Sequence, residues 1–494
     1  MSLTLGIDIG TTATKALVVD DQGRIVAEAE RPSELYSKHP GWAEEDPGQW
    51  WSNTCSLAAE LPLDQVDAVG VSGMVPCVIP LGDDGMPLRL SIQQNDARAV
   101  HEVEEVRERL AGANVLERTG SPITQQSVAP TVLWLQRHEP GVWERTRAIV
   151  GSYDYISTRL TGNTHVERNW ALESGLYDFQ ADAWAEDVCE AVGLDPGLLP
   201  PVHTSSDVIG EVSPSAAEAT GLRAGVPVVA GSADHVASAF AAGLLDEGDL
   251  LVKLGGAGDI LLTTNAPLVD ERLYLDYHLA PDRWLPNGCM AASGSLIRWF
   301  QRELAAGAPF DRLDAEGEAA GPGAGGIVAL PYFLGEKTPI NDPDARGVFA
   351  GLHLGHTRGH LFRAVLESIA FGFRHHLDVF RDHGFEPRRV RVTNGGARSG
   401  LWKQVTADVL GHPLEVPEAA AGSALGAAFA AGMGIGMFDS WSQIEQCVNV
   451  TSTVEPRAAT RDVYDEAYAT YREMYPLLRE LFRTRARQLE EVER

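Results

Sequence analysis

Short apolar runs broken by Gly, Thr and Asp turns open the chain. They predict strands at Leu3–Ile9, 16–20 and 24–29, with the D-D-Q-G turn of residues 20–23 between the second and third, an antiparallel meander. A helix is predicted over 47–61, strands over 68–72 and 77–81, and a charged helix over 97–110. Further on, strands around Leu250 and Ile260 precede a helix over 295–306. The segment Arg358–Asp382 carries Leu361, Val365, Ile369, Phe373 and Leu377 at fourfold spacing, the buried stripe of a long helix. A strand over 390–393, an N-G-G-A-R-S turn over 394–399 and a helix over 401–410 follow. The apolar stretch 424–438 is short and broken by Gly426, Gly432, Gly434 and Gly436, so it reads as a packed helix and not a membrane span. Residues 321–326 read as a flexible loop. The alternation of strands and helices predicts an α/β protein, without low-complexity segments or solenoid repeats.

One pattern occurs twice. L-G-I-D-I-G-T-T-A-T-K-A-L-V-V spans residues 5–19, and L-L-V-K-L-G-G-A-G-D-I-L-L-T-T spans 250–264; each is a strand, a phosphate-sized turn and a returning strand. Two such hairpins predict two related halves around one nucleotide, divided near residue 245 into 1–245 and 246–494. In the first turn Gly10 permits close approach, Thr11 and Thr12 offer hydroxyls and amides to phosphate oxygens, and Lys15 adds a point charge. Asp8 ends the entering strand, where a carboxylate holds Mg²⁺ directly or through water. A solvated hairpin is the plain alternative, but an acid between Ile7 and Ile9 is an odd structural choice. At the same place the second copy has Lys253. In P-V-V-A-G-S-A-D-H, residues 227–235, an apolar strand delivers Asp234 to the start of a helical segment. That carboxylate suits either a general base for an alcohol nucleophile or a helix N-cap, and the residues alone leave both open.

Charge narrows the partners. Forty basic against 69 acidic residues give a formal charge of −29, which argues against nucleic acid and anionic membranes as partners and requires any polyanion site to be built locally. Five widely spaced cysteines without a C-x-x-C pair predict a reducing compartment, the cytoplasm, with no disulfide framework and no structural zinc. We see no signal peptide, and 494 residues suffice for two large domains.

With these motifs the chain resembles the FGGY carbohydrate kinases of the actin-like ATPase superfamily, in particular their xylulokinase-like branch. The resemblance runs through G-I-D-I-G-T-T-A-T-K, H-P-G-W-A-E-E-D-P-G-Q-W-W (39–51), N-D-A-R (95–98), L-P-Y-F-L-G-E-K-T-P (330–339), R-G-V-F-A-G-L (346–352), H-L-F-R-A-V-L-E (360–367), N-G-G-A-R-S and S-A-L-G-A-A (423–428). It implies two RNase H-like domains around an interdomain cleft. The implied enzyme is an ATP-dependent kinase transferring the γ-phosphoryl group of Mg-ATP to a hydroxyl of a ketose, D-xylulose or a related pentulose, with a homodimer as a family expectation.

By resemblance, Asp234 is the general base and Asp8 organises Mg²⁺ and the γ-phosphoryl group, while Thr11, Thr12 and Lys15 contact phosphates. Gly255, Gly256, Ala257 and Gly258 hold the nucleotide from the other half, and Gly396, Arg398, Ser399 and Gly400 lie by the adenosine. The chain departs from the branch where Met74, Val75 and Pro76 replace a Gln-Met-His whose His helps hold the sugar. His235 follows the base where Asn or Gln is commoner. Polar groups at Asp96, Gln126 and His235 are the expected substrate contacts in compensation, although Asp96 and Arg98 could instead pair at a helix start. A site that loses a hydroxyl partner loses discrimination, so another ketose or polyol, such as ribulose, a tetritol or a hexulose, is the alternative substrate. Lys253, where the branch has a small hydroxyl residue, is expected either to replace a phosphate contact or to pair with Asp259 or Asp249. A non-catalytic actin-like nucleotide switch is disfavoured because it needs no base. A radical-enzyme activator is disfavoured because the cysteines do not cluster.

Overall fold

The structure, a computed structural model, describes residues 2–57, 60–418 and 422–493, with 489–493 described as backbone only. Two large sheets share one design. In the first, β1 (Leu3–Ile9) pairs antiparallel with β2 (Ala13–Asp20), which pairs with β3 (Ile25–Pro32). On its other side β1 runs parallel to β4 (Val66–Gly73). Beyond β4 lie β6 (Pro227–Val229) and the antiparallel β5 (Val208–Glu211), while β7 (Ser232–Ala233) pairs with the end of β4.

In the second sheet β8 (Asp249–Leu254) pairs antiparallel with β9 (Gly258–Leu262), β9 with β11 (Trp284–Met290), and β11 with β10 (Tyr274–Tyr277). On its other side β8 runs parallel to β12 (Arg389–Thr393), then come β13 (Leu414–Pro417) and the antiparallel β14 (Val450–Val454). The senses match strand for strand, β1 with β8, β2 with β9, β4 with β12. The repeated motif is therefore the central hairpin of each sheet.

Each sheet has its own apolar core, the first built on Leu5, Ile7, Val69 and Val71 and the second on Leu250, Val252, Val390 and Val392. In the second, α3 (Arg358–Asp382) has the predicted bounds, and its Val365, Ile369, Phe373 and Leu377 are buried. Leu361 is only partly so.

Helix α5 (Gly422–Gly434) is the packed helix expected within 424–438, yet it packs on the first sheet although it lies between β13 and β14 of the second in the chain. Three glycines let it lie flat. An added Cβ at Gly6 of β1 would strike the Ala424 carbonyl, one at Gly70 of β4 the Ala427 carbonyl, and one at Gly426 the Ala237 carbonyl of α1 (Asp234–Ala241). The helix thus rests on backbone where larger residues would hold it off. Among the described residues no helix is long and apolar enough to cross a membrane.

The remaining differences are local. The helix predicted over 47–61 is Pro47–Leu57; residues 58 and 59 lie outside the described residues, and Pro62 precedes a short 3₁₀ turn at Leu63–Gln65. The strand predicted over 77–81 begins at Ile79, because residues 74–77 turn tightly, with the Cys77 thiol on the Met74 carbonyl (3.3 Å). The helix predicted over 97–110 is Val100–Arg109, since Asp96 and Arg98 bond to each other in a turn before it.

Gly6→Ala tests the seat of α5. Overpacking against backbone is expected to cost about 1–3 kcal/mol, seen as a lower urea midpoint of the unfolding transition; an unchanged midpoint would contradict the close packing.

Candidate active site

Asp8 is the penultimate residue of β1, opposite Lys15 of β2 and beside Ser72 of β4 in register. The Ser72 hydroxyl donates to Asp8 Oδ1 (3.0 Å). Burial, then the charge of Asp234, pushes the Asp8 carboxyl up to about 6 against the hydroxyls of Ser423 and Ser72 and the charge of Lys15. The turn that follows is open: Thr11 and Thr12 are exposed, the Gly10 amide donates to the Ala13 carbonyl (3.1 Å), and the Thr11 hydroxyl meets the Met74 sulfur (3.1 Å). Lys15 lies 3.8 Å from Glu30 on the exposed side of the hairpin.

Asp234 is the first residue of α1, whose N-cap is Ala233, so the capping alternative does not describe it. Its side chain keeps 38% of its surface open. Burial opposes its charge, but the adjacent His235 and the charge of Lys253 outweigh it and hold Asp234 below the usual carboxylate range. Lys253, mostly buried on β8, pairs with Asp259 (3.3 Å). Burial works against its charge as well, and the carboxylates of Asp259 and Asp234 overcome that and raise it. Asp8 and Asp234 of the first half and Lys253 of the second are thus close enough to set one another's charge.

The second turn is clamped by the start of α2 (Gly294–Glu303). The amides of Ser293 and Ser295 donate to the Gly256 carbonyl (2.9 and 3.0 Å), and that of Gly294 to the Gly255 carbonyl (2.7 Å). A Cβ on Gly255 would lie 3.0 Å from the Asn394 amide, one on Gly256 3.1 Å from Arg298, and one on Gly258 3.0 Å from Phe373. Ala257, between these glycines, is exposed. Gly396 abuts Leu254 of β8, so the N-G-G-A-R-S turn lies against this one. Ser399 caps α4 (Gly400–Leu410) through the Trp402 amide (3.0 Å) and donates to Asp314 (2.8 Å); Arg398 ends the 3₁₀ turn before it.

The expected substrate contacts divide. Met74 and Val75 are buried, and with Pro76 they follow β4 directly, the Met74 amide donating to the Ile9 carbonyl (3.2 Å) and Ser152 to the Met74 carbonyl (2.7 Å). This lining therefore sits next to the Asp8 turn. Asp96, expected at the substrate, is instead committed to structure: its oxygens accept from the Ala43 amide (2.6 Å) and from Arg98 (2.8 Å), and it is 4% exposed. Arg98 lies over the Trp42 ring at 3.8 Å, which accounts for the pairing alternative. Gln126 accepts from the Tyr274 hydroxyl of the second half (3.1 Å). His235 lies beside Asp234, its Nδ1 3.6 Å from Asp234 Oδ1, with its Nε2 on Asp276 (2.8 Å).

Reading the sequence missed Ser72, Ser423, Glu173 and Asp276. Ser72 and Ser423 had a signal, the first because it closes a predicted strand that pairs with β1 and the second because it opens the S-A-L-G-A-A motif.

These features, two hairpins of one design with an open carboxylate between them, define a two-domain α/β fold of the actin-like ATPase type with a phosphoryl-transfer cleft. The N-terminal domain of the FGGY family of carbohydrate kinases matches residues 3–241, and its C-terminal domain matches residues 252–435. The chain belongs to the FGGY family of carbohydrate kinases. It is 30% identical over 490 residues to a xylulose kinase of Bacillus subtilis (strain 168), covering 97% of this chain and 98% of that protein. It is also 30% identical over 481 residues to a xylulose kinase of Escherichia coli (strain K12), covering 96% and 99%. The crystal structure of xylulose kinase from Rhodospirillum rubrum superposes with a TM-score of 0.92 at 44% identity, covering 97% of this chain and all of that one, 100%.

The raised Asp8 sets a pH test. Its folded-state pKa of about 6 exceeds the ordinary 3.8, so folding opposes its ionisation. The contribution of Asp8 to stability should therefore fall as pH rises from about 4 through about 6 and level off above. With a chelator present, Asp8→Asn should melt higher than wild type at pH 7.5, and the difference should shrink toward zero at pH 4. An equal difference at both pH values would contradict the raised pKa.

Proposed function

We propose that this carbohydrate kinase is a xylulose kinase, moving the γ-phosphoryl group of ATP to a hydroxyl of D-xylulose or a closely related pentulose. The observation that carries the reading is Asp234, a half-open carboxylate held ionised by His235 and Lys253 beside the Asp8 turn. An ionised, accessible carboxylate is what a base for an alcohol needs. The sugar hydroxyl gives its proton to a carboxylate oxygen of Asp234 as its oxygen attacks the γ-phosphorus in line with the departing ADP oxygen. The names of the relatives point to the pentulose.

The residues fit Mg²⁺. Asp8 is a partly buried carboxylate whose charge is opposed by desolvation and by a second carboxylate, with serine hydroxyls around it, a donor set of hard oxygens that a divalent cation would relieve. When bound with ATP, Mg²⁺ neutralises phosphate charge that the acidic protein could not. Asp8 holds it, directly or through water, and Thr11, Thr12, Lys15 and the Gly10 turn receive phosphate oxygens. The Gly255–Gly256–Ala257–Gly258 turn receives them from the other side, and Gly396, Arg398, Ser399 and Gly400 line the adenosine side. Residues 1–245 carry the sugar site, the base and the first turn, and 246–494 carry the nucleotide. Met74, Val75, Pro76, Gln126 and His235 border the sugar; Asp96 has no part in it. Pro76, standing where the branch has its sugar-holding His, removes one hydroxyl partner, so recognition of the sugar falls more heavily on the His235 side. A small soluble sugar and Mg-ATP place the enzyme in the cytoplasm.

Asp234→Ala is expected to lower kcat by at least ~10²-fold, as loss of a general base does, with ATP affinity intact; near-normal turnover would end the assignment. An ADP-release screen across pentuloses, hexuloses, tetritols and glycerol should rank D-xylulose or a neighbouring pentulose first, and a tetritol or glycerol in first place would replace the substrate. Lys253→Ala should weaken ATP binding if the ammonium faces phosphate; an unchanged dissociation constant leaves Lys253 as the partner of Asp259 alone.

A further inference from the structure

One strand of the second half is stitched to the first half along its whole length. The Tyr274 hydroxyl donates to Gln126 (3.1 Å), and the Leu275 amide to the Ser121 hydroxyl (3.0 Å). Asp276 Oδ2 meets His235 Nε2 (2.8 Å), and the Tyr277 amide donates to Asn169 (2.8 Å). Just past the strand, Arg168 donates to the His278 carbonyl (2.9 Å). One of these five bonds, Asp276 to His235, ends on the neighbour of the base.

That bond is built with care. Asp276 is 1% exposed, and its Oδ2 also accepts from the Asn287 amide of β11 (2.7 Å), so the oxygen is held from two sides. The other oxygen, Oδ1, is buried without a partner. Glu173 Oε1 lies 3.9 Å from the same imidazole nitrogen and is also buried without a hydrogen bond. The opposite ring nitrogen, Nδ1, faces Asp234 Oδ1 at 3.6 Å. The imidazole therefore bridges a carboxylate of the second half and the carboxylate at the reaction centre.

We propose that His235 and Asp276 form a hydrogen-bonded strut across the cleft that fixes the orientation of Asp234, so that the base is aligned when the Tyr274–Tyr277 strand is docked on the first half. His235 and Asp276 are positioning residues in this account, which rests on the reading of Asp234 as the base. A planar ring held at one nitrogen by a buried anchor can point the other at one place only, and catalysis is sensitive to sub-ångström placement of a base.

Charge supports the geometry. The groups facing His235 are Asp234 from its own helix, Glu173 from the Arg168–Glu173 helix and Asp276 from β10; Lys253 of β8 and Asp8 of β1 act on Asp234 from beyond. Burial alone would strip the proton from the ring, but three carboxylates hold it there well above the ordinary value. The donor atoms of Glu173, His235 and Asp276 are also near enough to bracket a cation. The 2.8 Å contact of Nε2 with Asp276 instead places a proton on that nitrogen.

The test compares Asp276→Asn, His235→Ala and the double variant with the wild type. Asp276→Asn keeps the shape and never touches substrate; it is expected to lower kcat at least roughly tenfold, toward the ~10²-fold a misplaced group costs, with KM for ATP unchanged. The double variant should be no slower than His235→Ala alone, because one strut is broken either way. The acid limb of the kcat/KM profile should move to higher pH by about 1 unit or more in both single variants, as the cation beside the base is lost. ¹⁵N NMR provides a readout independent of turnover and of folding yield: His235 should stay protonated at pH 8 in the wild type and lose its proton at lower pH in Asp276→Asn, where the anchoring carboxylate is gone. Losses that multiply in the double variant, an acid limb that does not move, or a neutral His235 in the wild type at pH 8 would each overturn the strut. If Asp234→Ala itself turns over normally, the base assignment has failed; if that variant is inactive while the other losses multiply, only the strut has.

Discussion

Two carboxylates of the first half, Asp8 near the end of β1 and Asp234 at the start of α1, act on each other's charge, and two like charges close together cannot both ionise freely. The fold resolves this by unequal surroundings. Asp234 receives His235 and Lys253 and stays charged, while Asp8 receives neutral hydroxyls from Ser72 and Ser423 and a distant Lys15, so its charge is the one opposed. A pair of acids pushed in opposite directions suits the two proposed roles, a base on one side and a cation-seeking carboxylate on the other.

Backbone geometry does most of the holding. Because β1 and β8 head equivalent hairpins, the same twist and register that project Asp8 from one sheet project Lys253 from the other. The halves are alike in strand order and unlike in charge at the equivalent hairpin position, Asp8 in one and Lys253 in the other. Helix α5 adds a constraint that crosses the chain order: it leaves the second sheet, lies on Gly6 and Gly70 of the first, and brings Ser423 to Asp8. Glycine at those positions concerns approach distance, since any larger residue would lift the helix and carry Ser423 with it.

Most of the fold was legible wherever local periodicity determines structure. The stripe on Arg358–Asp382 located that helix to the residue, and the repeated hairpin located the centre of both sheets. Boundaries failed where side chains compete with the backbone, as at Asp96 and Arg98, whose mutual bond delays the helix to Val100. The site was legible for residues lying in contiguous motifs, such as Asp8, Gly10 and Asp234. It was not legible for Asp276 or Glu173, which stand in unremarkable segments and acquire meaning only when folding sets them against His235. Asp96 shows the converse: a polar residue in a family motif whose valences turn out to be filled by Ala43 and Arg98.

Fold similarity alone would not single out a reaction, since one scaffold serves many. The electrostatic division between Asp8 and Asp234 is consistent with the proposed transfer, in which one carboxylate takes a proton and the other faces a cation. The most direct measurement is ³¹P NMR of the purified protein with Mg-ATP and D-xylulose. The account predicts that the ATP signals give way to ADP and a sugar phosphomonoester in equal amounts, with no build-up of inorganic phosphate. ADP accompanied by free phosphate alone, or ATP left intact beside every pentulose offered, would contradict it.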